Sequence, residues 1–522
     1  MAAYTHLKYD LIPYPEWSIF ETQPSHLGVI GRLFGINTPA SDSCRVLELG
    51  CASGGNLIPA AYYWPDSEFV GIELSRNQVE HGNALIAEIG LRNLRILHRD
   101  IMHVDKRLGQ FDYIIIHGVY SWVPEKVQNR IMRICRELLS TNGLAYISYN
   151  TMPGWSMRNM MRAMILFNTR KVTGPRKQLR NTQTFIQMLA SALPQHGGFA
   201  QRWLQHETTE LVNVDPDYLF HEYLEEDNHP IFFHEFMQRL ETGGLRYVAD
   251  ATLATMLPSS LTPEANVFLD SVTDLVDYEQ YMDFFQLRHF RQSIVCHRER
   301  SPRRLLNINK FRRLHLAAYL TCDGEIDLQT ASEQQFTAST GRSFSAQQPL
   351  TKAALVALTM AYPDTLTLDQ VTLQARDLVQ RYGTGDTISA SDQLTEDLLS
   401  LFLSGALQAS ITRREIFSEL SDRPLASPLA RVYAKHKKKF VVTAHHDNLE
   451  LDYLGWKILS LADGKRKREE IYQEIIRAAE RPGAMRRYLT GKGLVTESLP
   501  EHVTTLVEAQ LYQFAGQGLL SA

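Results

Sequence analysis

Between Arg45 and Asn150 five short apolar runs, RVLELG, EFVGIEL, LRILHRDI, FDYIIIHG and GLAYISYN, alternate with stretches of helical character. Unbroken runs of Val, Ile and Leu mark strands buried on both faces, and such strands pair in parallel beneath crossover helices. The chain is therefore expected to be an α/β protein built on a doubly wound, Rossmann-like sheet. Apolar residues recur at helical spacing between Ser75 and Gly90 and again between Glu125 and Leu139. Gly90 closes the first of these helices and Asn142-Gly143 is expected to close the second. Two later runs, Leu245 to Ala251 and Arg291 to Arg298, are expected to finish the sheet as an antiparallel pair, with the helical, polar stretch after Trp155 inserted before them.

At 522 residues the chain exceeds one core, since domains run to about 100 to 200 residues. The pattern divides it into an N-terminal cap (1–44), a nucleotide-binding core (45–165), an inserted region completing the sheet (166–300), a winged-helix-like middle domain (301–382), a linker region (383–443) and a helical C-terminal domain (444–522). A formal charge of -4 argues against nucleic acid as the main partner. Five scattered cysteines without a CxxC pair argue against a disulfide framework or a zinc cluster. No segment approaches the roughly 20 apolar residues of a membrane span, and the N-terminus has no signal-peptide pattern. A cytoplasmic protein is expected.

The loop Glu48-Leu49-Gly50-Cys51-Ala52-Ser53-Gly54-Gly55-Asn56 follows the first strand and precedes a helix. In a doubly wound sheet the ligand lies at the carboxyl ends of the strands, so this loop passes close beneath it. Gly50 and Gly54 permit the approach, and Ala52 stands where a second glycine is commoner. Glu73, followed by Leu74, ends the second strand, where a carboxylate can accept both hydroxyl protons of a ribose. Glu48 directly before the glycines would repel a pyrophosphate but suits a sulfonium and an ammonium. Asp100 ends the third strand, placed to accept from an adenine amino group with Ile101 covering the ring. Acids at three successive strand ends point to S-adenosylmethionine (SAM), bound by Glu48, Gly50, Ala52, Gly54, Asn56, Glu73, Leu74, Asp100 and Ile101. No metal is expected.

The fourth strand runs into His117-Gly118-Val119-Tyr120-Ser121-Trp122, without the Asn/Asp-Pro-Pro-Tyr that orients planar amines. His117, Tyr120 and Trp122, with Tyr14, Tyr149, Asn150 and Trp155, are the acceptor-side candidates, because aromatic faces stabilise a nearby cation by about 0.5 to 2 kcal/mol. Tyr218, His221, Glu222, Tyr223 and Asn228 are candidates to roof the same pocket. HEYLE at His221 lacks the second histidine of a zinc protease. His445 and His446 read as surface or packing residues on a strand, and Lys435 to Lys439 as a solvated strand edge.

YDLIPYPEW, VLELGCASGGNLIPAA, HGVYSWVP and SYNTMPGW together resemble bacterial methyltransferases that carry a methyltransferase regulatory domain, among them the rickettsial-type protein-lysine methyltransferases. HEYLEEDNHPIFFHEF and EQYMDFFQLRHFRQSIVCH resemble the regulatory domain, and DNLELDYLGWKILSLADGKRKREEI the family's C-terminal domain. The resemblance implies a class I methyltransferase fold and a dimeric lysine N-methyltransferase acting on a protein such as an outer-membrane protein. It also implies SAM held by Gly50, Gly54, Glu73 and Asp100. Two other readings stay open: N- or O-methylation of a small molecule, and a non-catalytic SAM-binding regulator.

Overall fold

The computed structural model describes residues 10–521 except 13, 15, 194–197, 259–260, 305, 339–340, 384–390, 414–415, 417–418 and 495–497. Of the region 383–443 read as a linker, residues 384–390, 414–415 and 417–418 lie outside the described residues. Seven strands form one sheet: β1 (Arg45–Leu49), β2 (Glu68–Glu73), β3 (Leu94–His98), β4 (Phe111–Ile116), β5 (Leu139–Asn150), β6 (Leu245–Asp250) and β7 (Phe290–His297). Their order is β3-β2-β1-β4-β5-β7-β6. The first five are parallel, and β7 runs antiparallel between β5 and β6. The order reverses between β1 and β4, which opens a crevice at their carboxyl ends.

Alternate residues of the apolar runs enter opposite cores. Val46, Phe69, Tyr113, Ile115 and Tyr146 join one, and Leu47, Leu49, Val70, Ile72, Ile114 and Ile116 the other. Fixing a strand's register on both faces in this way fixes where its last residue points. The helix Arg76–Ile89 starts at Ser75, whose hydroxyl accepts from the Gln78 amide, and stops at Gly90 with φ +86°. The helix Glu125–Leu138 instead runs straight into β5, so Asn142-Gly143 lies inside a strand and ends no helix. A β-carbon on Gly143 would stand 2.8 Å from the Asp112 carbonyl oxygen, where the β4–β5 register shifts. Close strand approach, not helix termination, requires that glycine.

The β7–β6 edge is fastened by buried charge. Arg291 reaches Asp250 at 2.8 Å, Asp283 at 2.9 Å and Glu279 at 3.0 Å, while Arg288 holds Asp250 at 3.0 Å. Beyond the sheet, the strands Leu320–Cys322, Gln334–Ala338 and Ser343–Ala346 pair with one another, beside the helices Pro349–Ala361 and Leu368–Tyr382. The last unit combines the hairpin Phe440–Val442/Asn448–Glu450 with five helices from Pro428–Lys435 to Leu499–Gly516. It packs on the sheet domain through part of the basic run. The run is exposed as expected at Lys435, His436, Lys437 and Lys439, but Lys435 and His436 also pair with Glu88, and half-buried Lys438 pairs with Glu16, so it also makes an interdomain seam. His445 and His446 are buried in the hairpin turn, where His445 Nε2 lies 2.7 Å from the Pro363 carbonyl. Among the described residues no helix is long and apolar enough to cross a membrane.

Candidate active site

The glycine loop leaves β1 through Gly50 (φ +72°) and turns again at Gly54 (φ +83°), both in the left-handed region that side chains disfavour. Ala52 adopts φ +50° as well, and its amide donates to Glu73 Oε2 at 3.0 Å. The other oxygen of Glu73 accepts from the Leu74 and Ser75 amides, both at 2.8 Å. This carboxylate therefore stitches the loop to the end of β2. Burial raises its pKa, and the three backbone amides oppose the rise.

Glu48 is the site's half-satisfied acid. Its Oε1 accepts from Asn56 at 3.2 Å, whereas its buried Oε2 has no partner among the described residues. Burial, reinforced by the nearby Glu73 charge, pushes its pKa up to about 8. Asn56 has no polar capacity to spare for a ligand: it accepts from the Ile19 amide at 3.0 Å and donates to Thr22 at 2.9 Å besides Glu48. It binds the cap to the loop and orients Glu48, a positioning role where the sequence suggested direct contact. Asp100 accepts from the Met102 amide at 2.8 Å, capping the turn Ile101–His103 with one oxygen, and Ile101 is half-buried beside it. At the end of β4, a β-carbon on Gly118 would meet nothing within 4 Å. A buried carboxyl oxygen without a partner among the described residues is one to which a cationic ligand could be matched.

On the acceptor side the candidates separate. His117 stacks on Tyr146, whose hydroxyl is 2.9 Å from Nδ1, and burial lowers its pKa to about 4, so it is neutral at pH 7. Trp122 stands half-buried against Trp155, ring centroids 6.1 Å apart and nearly perpendicular. Tyr120 does not join them. The turn Tyr120–Trp122 sends it inward, where its ring meets Phe236 at 5.6 Å and Tyr149 at 6.3 Å and its hydroxyl accepts from Arg239. Tyr149 stacks on Phe236 at 4.1 Å and is likewise core.

Tyr14 leans on His221 of the helix Pro216–Tyr223, with ring centroids 5.5 Å apart, and His221 Nε2 is 2.9 Å from the Ile12 carbonyl. Trp17 approaches Tyr218 of the same helix at 5.8 Å. Glu222 lies beside them: burial pushes its carboxyl up to about 7, against the pull of Arg158 at 3.3 Å. The sequence reading overlooked Glu16, whose carboxylate accepts from Ser53 of the glycine loop and pairs with Lys438. Burial works against its charge, but His81, Lys438 and Ser53 together hold its pKa down at about 2. Its acidic character in PYPEW was visible; its partner in the last domain was not.

Three family models match the chain: a methyltransferase domain over residues 46–143, a predicted methyltransferase regulatory domain over 215–297, and a PKMT C-terminal winged helix domain over 422–519. The Rickettsia prowazekii protein RP789 is 31% identical over 524 residues, covering 99% of this chain and 94% of its own. A second protein of that organism, RP028, is 35% identical over 45% of this chain and 94% of its own length. The structure of PKMT2 from Rickettsia typhi in complex with AdoHcy superposes with a TM-score of 0.85 at 27% identity, covering 97% of this chain and all of that one.

Proposed function

Since the chain belongs to the family of bacterial SAM-dependent methyltransferases that join a methyltransferase regulatory domain to a PKMT winged-helix domain, we propose that its acceptor is the lysine side chain of a protein. The observation carrying this reading is the likeness to PKMT2 over 97% of the chain, which takes in the accessory domains as well as the sheet. A small metabolite gives no reason for so large a platform, whereas a protein acceptor does.

When bound, SAM supplies a methyl group on a sulfonium, which the acceptor nitrogen attacks in line. The chain's own task is to align and to exclude water. In this reading Glu48 faces the cofactor's cationic end, Gly50, Ala52 and Gly54 pass beneath it, Glu73 and Leu74 hold the ribose side, and Asp100 and Ile101 the adenine. Lysine must first lose a proton, since its ammonium has no lone pair and an unperturbed pKa of about 10.4. Enclosure by Tyr14, Trp122 and Trp155 disfavours the ammonium. Neutral His117 and the carboxylate form of Glu222 can each take the proton, directly or through water. The proposal extends to a cytoplasmic homodimer, with an outer-membrane protein as the acceptor. Incubating the protein with methyl-labelled SAM and a proteome lysate, then locating the label by mass spectrometry, tests the reading. Label on lysine is the expected result, and label confined to small metabolites refutes it.

A further inference from the structure

Two buried carboxamides lie where β4 and β5 end. Asn150, the last residue of β5, is 3% exposed, and its Nδ2 has no partner among the described residues. Asn228, half-buried in the loop after the helix Pro216–Tyr223, has neither Oδ1 nor Nδ2 partnered among them. Their backbones meet at one place. The Asn150 amide donates to Ser121 Oγ at 2.9 Å, and the His229 amide donates to the Ser121 carbonyl at 2.8 Å. The Ile231 amide donates to the Asn150 carbonyl at 3.1 Å, and Ile231 bridges Thr151 in parallel. Residues 228–231 are thus laid along the end of β5, beside the loop that carries His117 and Trp122. Backbone bonds hold this junction without either carboxamide.

A buried amide left unpaired is costly, so two at the ligand-bearing edge of a sheet call for a polar occupant. We propose that Asn228 and Asn150 form the cradle for the acceptor's amine nitrogen, an inference that rests on the lysine reading above. A neutral primary amine has two hydrogens to place and one lone pair to aim at the methyl group. The Asn228 carbonyl oxygen accepts one hydrogen, and Asn150 Nδ2, a donor, holds the nitrogen's lone pair until it turns to the methyl group. A carboxamide, unlike a carboxylate, orients the nitrogen without stabilising its protonated form. The inserted segment thereby supplies the polar group that the end of β4 lacks.

The test uses n-butylamine, the lysine side chain without its backbone, titrated at pH 10.5 into full-length protein loaded with AdoHcy. Saturable binding that falls about tenfold in Asn228→Ala, the loss of roughly one hydrogen bond, is expected, with a smaller fall in Asn150→Ala. AdoHcy affinity and Tm should stay at wild-type values, because Asn150 Nδ2 and both polar atoms of Asn228 hold no hydrogen bond among the described residues. Asn228→Asp should instead favour the protonated amine and bind butylamine more tightly at pH 8 than wild type does. Equal butylamine binding in wild type and both alanine variants overturns the cradle, as does a fall in Tm showing that an internal water satisfies the amides. The lysine reading fails separately, through the labelling experiment.

Discussion

Replacing Glu48 with glutamine isolates the group proposed to meet the cofactor's cationic end. With its carboxyl pushed up to about 8, Glu48 is roughly nine-tenths protonated at pH 7 in the empty chain. Pairing with a cation requires the carboxylate, so cofactor uptake at pH 7 should release about 0.9 proton and cost about 1.4 kcal/mol, the equivalent of one pKa unit. Against that stands a charge-assisted hydrogen bond worth about 1.5 to 3 kcal/mol. Glu48→Gln should therefore weaken SAM binding by at most about 1.5 kcal/mol at pH 7 and by the full 1.5 to 3 kcal/mol at pH 9. The ratio of the two dissociation constants grows about tenfold across that interval. Calorimetry at pH 7 in two buffers of different ionisation enthalpy measures the proton directly, with release close to zero for the variant. The empty protein supplies an independent sign. A carboxyl whose folded pKa rises from 4.5 to about 8 contributes stability below 4.5 that is lost as pH rises through 8. The variant's stability should therefore fall less over that range. Wild-type binding without proton release, or an affinity ratio that does not change with pH, refutes the argument.

His117→Ala should lower the single-turnover methyl-transfer rate about a hundredfold or more between pH 6 and 9 if neutral His117 relays the proton, and an unchanged rate excludes it. Glu222→Gln should remove a limb near pH 7 from the kcat/KM profile, since burial holds that carboxyl at about 7; persistence of the limb assigns it elsewhere. Asp250→Asn weakens the bonds to both Arg288 and Arg291, which keep Glu279 and Asp283, and should cost about 1.5 to 3 kcal/mol in urea denaturation, with AdoHcy affinity retained once folded. Lys438→Met removes a partner of Glu16, and so should lower AdoHcy affinity a few-fold at low salt through Ser53, although it lies in the C-terminal domain. A salt-independent or absent effect would show that the seam does not reach the loop.

What could be read in advance followed the range of the interactions involved. The five parallel strands were legible because burial on both faces leaves an unbroken apolar run, and that register carries Glu48, Glu73 and Asp100 to neighbouring strand ends with no help from the rest of the chain. Residues whose direction depends on distant partners were not legible. Tyr120 and Trp122 are two residues apart on one turn, yet Phe236 and Arg239 draw the first into the core, while Trp155 keeps the second at the crevice. The lysine run is solvated for the most part, and the seam it also makes was not legible because its counter-charges, Glu88 and Glu16, lie far off in the sequence; Lys438 and Glu16 are 422 positions apart. Asn56 gave a similar misreading: a polar residue in a ligand loop suggests contact, but its amide is consumed by Ile19, Thr22 and Glu48. The cap thereby reaches Glu48 through Asn56 and the glycine loop through Glu16 to Ser53, and the last domain holds the cap in turn through Lys438 and Asn448. A site closed by three segments so remote in sequence can be assembled or loosened from a surface far from the chemistry, which a loop contained within the sheet domain could not.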